Sequence, residues 1–171
     1  MRNTIFLIVS IGIFLGFSAC DDDEVKAGAT ISAMIFENAK LDENTGMVIQ
    51  GNQIVLQYSY SDPKEELATD AGVAYQLLLE IPANNATAMQ INKSDLENIR
   101  HHYTQSCFCI PITSSEITDL NLQLIRYGND MEVSGLVALA FNEDHRVDSN
   151  PYLTTVTFEN TYFRSGSNNF R

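Results

Sequence analysis

The chain has 171 residues, 44% of them hydrophobic and 19% charged, with 22 acidic side chains against 10 basic ones and no Trp. That composition fits one globular domain and excludes a disordered tail, a polytopic membrane protein and a disulfide-dense toxin scaffold. The net charge of −12 sets nucleic acid and anionic lipid headgroups aside as partners, because both would be repelled at close range.

The first element is an export signal. Met1, Arg2 and Asn3 carry one positive charge, residues 5–17 are strongly apolar, and the small Ser18 and Ala19 precede Cys20. This profile predicts a signal peptide over residues 1–19. A helix of about 13 residues at ~1.5 Å each spans roughly 20 Å, short of the ~30 Å hydrocarbon core, so a permanent transmembrane helix is the weaker reading. Phe17, Ser18, Ala19 and Cys20 together resemble the bacterial lipobox, with Phe17 standing where leucine is usual. The resemblance implies lipidation of Cys20, which becomes the mature N-terminus; an ordinary cleaved secretory peptide is the alternative. Asp21, Asp22, Asp23 and Glu24 follow directly, and this acidic block resembles the export signal of Bacteroidota surface lipoproteins. It implies an outer-membrane lipoprotein exposed at the cell surface. Residues 20–29 then read as a tether of about ten residues, with a reach on the order of 17 Å.

Beyond the tether, apolar residues recur at every second position, the period of a half-buried strand. Ile31 to Phe36 begin the series and Met47 to Gln50 add a short run. Ile54, Leu56, Tyr58 and Tyr60 alternate with Gln53, Gln57 and Ser59. Val73, Tyr75, Leu77, Leu79 and Ile81 follow, with Leu78 on the opposite parity indicating partial burial of both faces. Two short helical turns interrupt the pattern: Asp62 and Pro63 make an N-terminal signal, and Ser94 with Glu97 has the spacing of a capping box. A strand is expected from Phe108 to Ile112. Leu120, Leu122 and Leu124, then Met131, Val133, Val137, Leu139 and Phe141, flank the turn residues Gly128, Asn129 and Asp130 as a hairpin. Val156 and Phe158 mark the last strand. Seven to eight strands with no long helices predict an all-β fold: an antiparallel β-sandwich, immunoglobulin-like or similar, over residues 30–164, with a flexible tail at 165–171.

Candidate chemistry is sparse. His101, Cys107 and Cys109 share parity if their segment is extended, but six residues of straight strand separate His101 from Cys107 by roughly 20 Å, too far to share one metal ion. Cys107 and Cys109 are the pair open to a disulfide in an oxidising compartment. Residues i and i+2 of a regular strand stand at the limit for closure, so reduced thiols and a bond made across a bulge both stay open. Asn142 to Asn150 are rich in oxygen donors without Ca²⁺-loop spacing, and read as a solvated acidic loop. No hydrolase motif is present, and no spacing singles out a carboxylate pair. No metal, cofactor or catalytic residue is therefore assigned. Tyr58, Tyr60 and Tyr75 share parity with core residues, which leaves Tyr103, Tyr127, Tyr152 and Tyr162 to form a platform for a sugar ring.

From Thr118 to Arg164 the chain resembles the C-terminal half of small β-rich Bacteroidota lipoproteins of unknown function, through the Ser134-Gly135 step and the final strand Thr155-Val156-Thr157-Phe158. The expectation is a non-enzymatic lipoprotein, held to the membrane by its lipid, whose domain binds a protein or glycan or organises the envelope. A glycan-binding accessory lipoprotein and a secreted hydrolase with an unrecognised carboxylate site are the alternatives.

Overall fold

The computed structural model describes residues 29–62, 73–106, 112–143 and 152–166. They form eight strands: β1 (Thr30–Leu41), β2 (Val48–Asp62), β3 (Val73–Ile81), β4 (Ala88–Asn92), β5 (Arg100–Ser106), β6 (Ile112–Tyr127), β7 (Asp130–Glu143) and β8 (Tyr152–Ser165). A six-residue 3-10 helix, Lys93–Asn98, links β4 to β5. The all-β class and the strand number match the expectation from sequence. The layering does not. All eight strands join one mixed sheet, in the order β4-β6-β7-β8-β1-β2-β3-β5, curled into a half-barrel instead of two separate sheets.

The cause is the contact between the first and last strands. Met34 pairs with Arg164 and Ile35 with Ser165 in parallel, and the Gly166 N–H donates to Ile35 O at 2.8 Å. This short parallel pair welds two four-stranded halves, whose other strand pairs are antiparallel. β8 therefore runs through Ser165, one residue past the expected end of the domain.

Alternation puts one set of side chains inside the curl. Ile35, Ile54, Leu56, Leu77, Leu79 and Ile81 from one half meet Leu120, Leu122, Leu124, Val133, Val137, Leu139 and Phe163 from the other in a single core. Each such side chain contributes about 1.5–3 kcal/mol when fully removed from water, so the two halves are held mainly by what they bury between them. Aromatic rings extend this core toward the end where β1 starts. Tyr58 meets Phe158 edge-on at 5.1 Å, Tyr60 stacks on Tyr75 at 5.1 Å, and Tyr103 stacks on Phe141 at 6.0 Å. The last contact crosses from edge strand β5 to β7. Toward the opposite end Arg126 Nη1 pairs with Glu37 Oε1, joining β6 to β1 across the curl.

Several local expectations change. Met47 to Gln50 do not stand alone: from Val48 onward they belong to the 15-residue β2, bent where Ala39 pairs with both Gln50 and Gln53 and Asn38 takes φ 51°. The 3-10 helix is capped two residues earlier than expected, since Asn92 is the N-cap and its N–H donates to Asp95 Oδ2 at 2.8 Å. Asn supplies that start as well as Ser would, and Asp95 then reaches back in the role expected of Glu97. Leu78, buried on the second face as expected, belongs to a smaller cluster with Ala39, Leu41 and Val55. Cys20, the Asp21 to Glu24 block, the Pro63 turn, Cys107, Cys109, and the side chains of the Asn142 to Asn150 loop lie outside the described residues.

Candidate functional site

The outer face of β1, β2, β3 and β5 divides into a covered part and an open part. After the bend at Ala39, the β1–β2 hairpin lies back over the sheet, and Leu41 packs with Val55 and Leu78. Its tip is built by Asp42, whose Oδ1 accepts from the Asn44 N–H (3.1 Å), the Thr45 N–H (2.9 Å) and the Thr45 hydroxyl (2.8 Å). These donors, Thr45 N–H foremost, hold the Asp42 carboxyl below the usual carboxylate range. Glu80 anchors the covered part: its Oε2 accepts the Leu41 N–H at 2.6 Å and lies 3.7 Å from Arg100 Nη1. Among the described residues it is the one buried charged side chain.

Below the hairpin the same face is open and forms a trough of about 360 Å³. Strand register explains its chemistry. Ser32 pairs with Ser59, Ser59 with Gln76 and Gln76 with Thr104, which makes one cross-strand row of hydroxyl and amide groups. Thr30, Ser61 and Ala74 form the next row. Gln76 Nε2 donates to Ser59 Oγ at 3.3 Å, so the polar groups of the floor are partly organised before any ligand arrives. Tyr60 and Tyr75 complete the lining, which among the described residues holds no carboxylate, ammonium, guanidinium, imidazole or thiol. Most of the exposed lining is carbon, and the Ser, Thr and Gln row adds a few neutral hydrogen-bonding groups, a combination that fits an uncharged molecule with both apolar and hydroxyl faces.

A second feature lies on the outer face of the other half. Tyr127 and Tyr162 are 50% and 45% exposed, with ring centroids 6.2 Å apart and planes tilted by 33°. Tyr127 pairs with Asp130 across the tight β6–β7 turn, and Tyr162 pairs with Glu132 on β7. The rings thus reach across β7 toward each other over two carboxylates. Asp130 Oδ1 accepts the Ser165 N–H at 2.8 Å, and its carboxylate neighbours Tyr162. Partial desolvation and that neighbouring carboxylate raise the Tyr162 pKa.

Of the four tyrosines expected to form a platform, Tyr127 and Tyr162 do so. Tyr103 does not: it is 8% exposed and lies between Tyr75 and Phe141, because β5 turns that parity inward. The Tyr152 side chain lies outside the described ones. Tyr58, Tyr60 and Tyr75 pack in or against the core, as their parity indicates. Burial raises the Tyr75 pKa, with the neighbouring phenols adding to the shift.

His101 is engaged structurally. Its Nε2–H donates to Ser115 O at 3.2 Å, with Ser115 Oγ at 3.0 Å, across the seam between β5 and β6. Burial lowers its pKa. Among the described residues no group of three His, Cys, Asp or Glu side chains is placed to hold a metal ion. The trough had no signal in the sequence beyond scattered Ser and Thr, since only register assembles them. No family model, curated protein or solved structure matches this chain.

Proposed function

We propose that the protein is a lipid-anchored envelope protein whose β domain is a non-enzymatic binding module. The anchor rests on the apolar leader, the lipobox-like Phe17 to Cys20 and the acidic block from Asp21 to Glu24. Three acyl chains at Cys20 would hold the protein to the outer membrane, and the acidic block directs it to the cell surface. The two halves of the sheet act in this reading as the layers of a sandwich-like module, joined along β1 and β8.

The observation that carries the binding role is the uncharged hydroxyl row of the trough. Among the described residues a chain with 22 acids keeps this surface free of charged side chains, and the shifted groups in its lining, Tyr60 and Tyr75, are phenols whose pKa desolvation raises, so they stay neutral. This supports binding over hydrolysis. The same lining favours a glycan as the ligand, because sugars offer many neutral donors and acceptors to match Ser, Thr and Gln.

Both halves of the reading can be tested. Cys20→Ala should move the protein from the membrane fraction to the soluble one; unchanged partitioning into a detergent phase would remove the anchor. For the ligand, the full chain in nonionic detergent is applied to an array of neutral oligosaccharides. Filling the trough by Ser59→Tyr should abolish the binding seen with the parent chain. Absence of binding, or binding that survives the filled trough, would rule out the glycan site.

A further inference from the structure

We propose that the Tyr127–Tyr162 pair, with Asp130 and Glu132 beside it, is a docking site for an arginine side chain of a partner protein. It stands apart from the trough, on the other half of the sheet, and does not depend on the glycan reading.

The argument begins with what the two rings do for the fold. Each is about half exposed, so neither is a core residue left slightly open. They contact each other on the outer face, where burying apolar area gains the domain little. Their positions are nevertheless well fixed. Tyr127 and Asp130 close a two-residue turn with Gly128 at φ 66°, Asp130 takes a backbone N–H of β8, and the Tyr162 ring meets Tyr127 across β7. Three strands therefore hold one small aromatic surface in a set geometry. Such preorganisation lowers the ordering cost of binding.

The chemistry around the rings selects the ligand. A π face carries partial negative charge and attracts cations. A neighbouring carboxylate strengthens that attraction, and Asp130 neighbours Tyr162. Glu132, paired with Tyr162 and partly exposed, provides a second acceptor. Asp130 retains acceptor capacity beyond the Ser165 N–H, because an ionised carboxylate offers about four lone-pair sites. Arg164 is exposed on the same face and opposes part of this field. The chain as a whole, at −12, still attracts a cation.

Among cationic groups the geometry points to guanidinium. A quaternary ammonium is best held by an enclosing cage of rings, and two rings on an open face do not enclose it. A guanidinium is planar, lies flat on an aromatic ring and directs its N–H fork sideways into a carboxylate. Two rings tilted by 33° above β7, with Asp130 and Glu132 on the same face of that strand, supply both parts of that match.

The test uses the full ¹⁵N-labelled chain in nonionic detergent, titrated with a capped peptide carrying two arginines and with the same peptide carrying glutamines. The arginine peptide should shift the amide signals of Tyr127, Asp130, Glu132 and Tyr162. Tyr127→Leu and Glu132→Gln should each weaken binding at least tenfold, and Tyr127→Phe should retain it. All are exposed or half-exposed sites, and circular dichroism checks that the fold persists. Three results overturn the proposal. The glutamine peptide could bind equally well. A neutral oligosaccharide could shift the same signals where the arginine peptide does not. Tyr127→Leu could bind with parental affinity, which would mean general attraction to an acidic chain.

Discussion

Gly135 offers a sharp test of the half-barrel, because its backbone approaches β6 where no side chain fits. It has φ 125° and sits at a bulge, where the β7–β8 register jumps from Val133 opposite Thr161 to Gly135 opposite Phe158. A Cβ at this position would press into the Asn121 carbonyl oxygen and stand 3.0 Å from Asn121 C and 3.1 Å from Leu122 Cα. Those are backbone atoms of a central strand and cannot swing aside. Gly135→Ala therefore combines a conformational cost of about 1–3 kcal/mol with an overpacking cost of about 1–3 kcal/mol. For a domain of this size the sum of about 2–6 kcal/mol lowers the melting temperature by roughly 4–24 °C. Gly128→Ala is the control. That glycine also has positive φ, at 66°, but a Cβ there meets nothing within 4 Å, so only the left-handed cost of about 1–2 kcal/mol applies. Thermal and urea unfolding followed by circular dichroism compares the two. A Gly128→Ala loss equal to or larger than that of Gly135→Ala would refute the close approach of β7 to β6.

Two further predictions concern buried polar groups. Glu80→Ala leaves the buried Leu41 N–H without its acceptor and should cost about 1–3 kcal/mol, whereas Glu80→Gln keeps an acceptor and should cost less. Urea midpoints and amide exchange at Leu41 measure the difference, and equal losses would show that the hydrogen bond is not what matters. His101 has a folded-state pKa below its ordinary 6.5, through burial, so the unfolded chain takes up the proton first. Its contribution is fully present above about pH 6.5 and is lost as pH falls through the lower folded value. The urea midpoint should drop between pH 7.5 and 5.5, and His101→Gln should flatten that drop. A midpoint that rises on acidification would contradict the sign.

The strands with the clearest alternation were legible from sequence because their burial is one-sided. Leu77, Leu79 and Ile81, or Leu120, Leu122 and Leu124, repeat with period two whatever their partners are. β4 and β5 were not legible. Ala88 to Asn92 bury only Ile91, and Arg100 to Ser106 is a polar stretch whose histidines invite a chemical reading. The same polarity makes Tyr103 read as a surface residue, although β5 points it into the core beside Phe141. The joining of the two halves through β1 and β8 rests on two residue pairs more than a hundred positions apart in sequence, which no local pattern encodes. The trough is hidden in the same way. Ser32, Ser59, Gln76 and Thr104 are ordinary polar positions on four strands, and only register sets them side by side. Tyr127 and Tyr162 were half legible: their exposure follows from parity, their contact across β7 does not.

A single curled sheet also explains why two surfaces of opposite chemistry coexist in so small a domain. One inner face consumes nearly all the large apolar residues, so each half keeps a whole outer face that packing leaves unconstrained. On β1, β2, β3 and β5 the bend at Asn38 and Ala39 turns the hairpin back over the upper outer face, where Leu41, Val55 and Leu78 form their own small core. What lies below must be small, since the row from Ser32 to Thr104 would otherwise fill with side chains and the trough would vanish. On β6, β7 and β8 no other described element covers the outer face, and large residues can stand there if water tolerates them. Tyrosine meets that condition, with an apolar ring and a polar hydroxyl. The hydroxyl row and the tyrosine pair are thus products of the same constraint, one on the half that the hairpin partly covers and the other on the half it leaves bare.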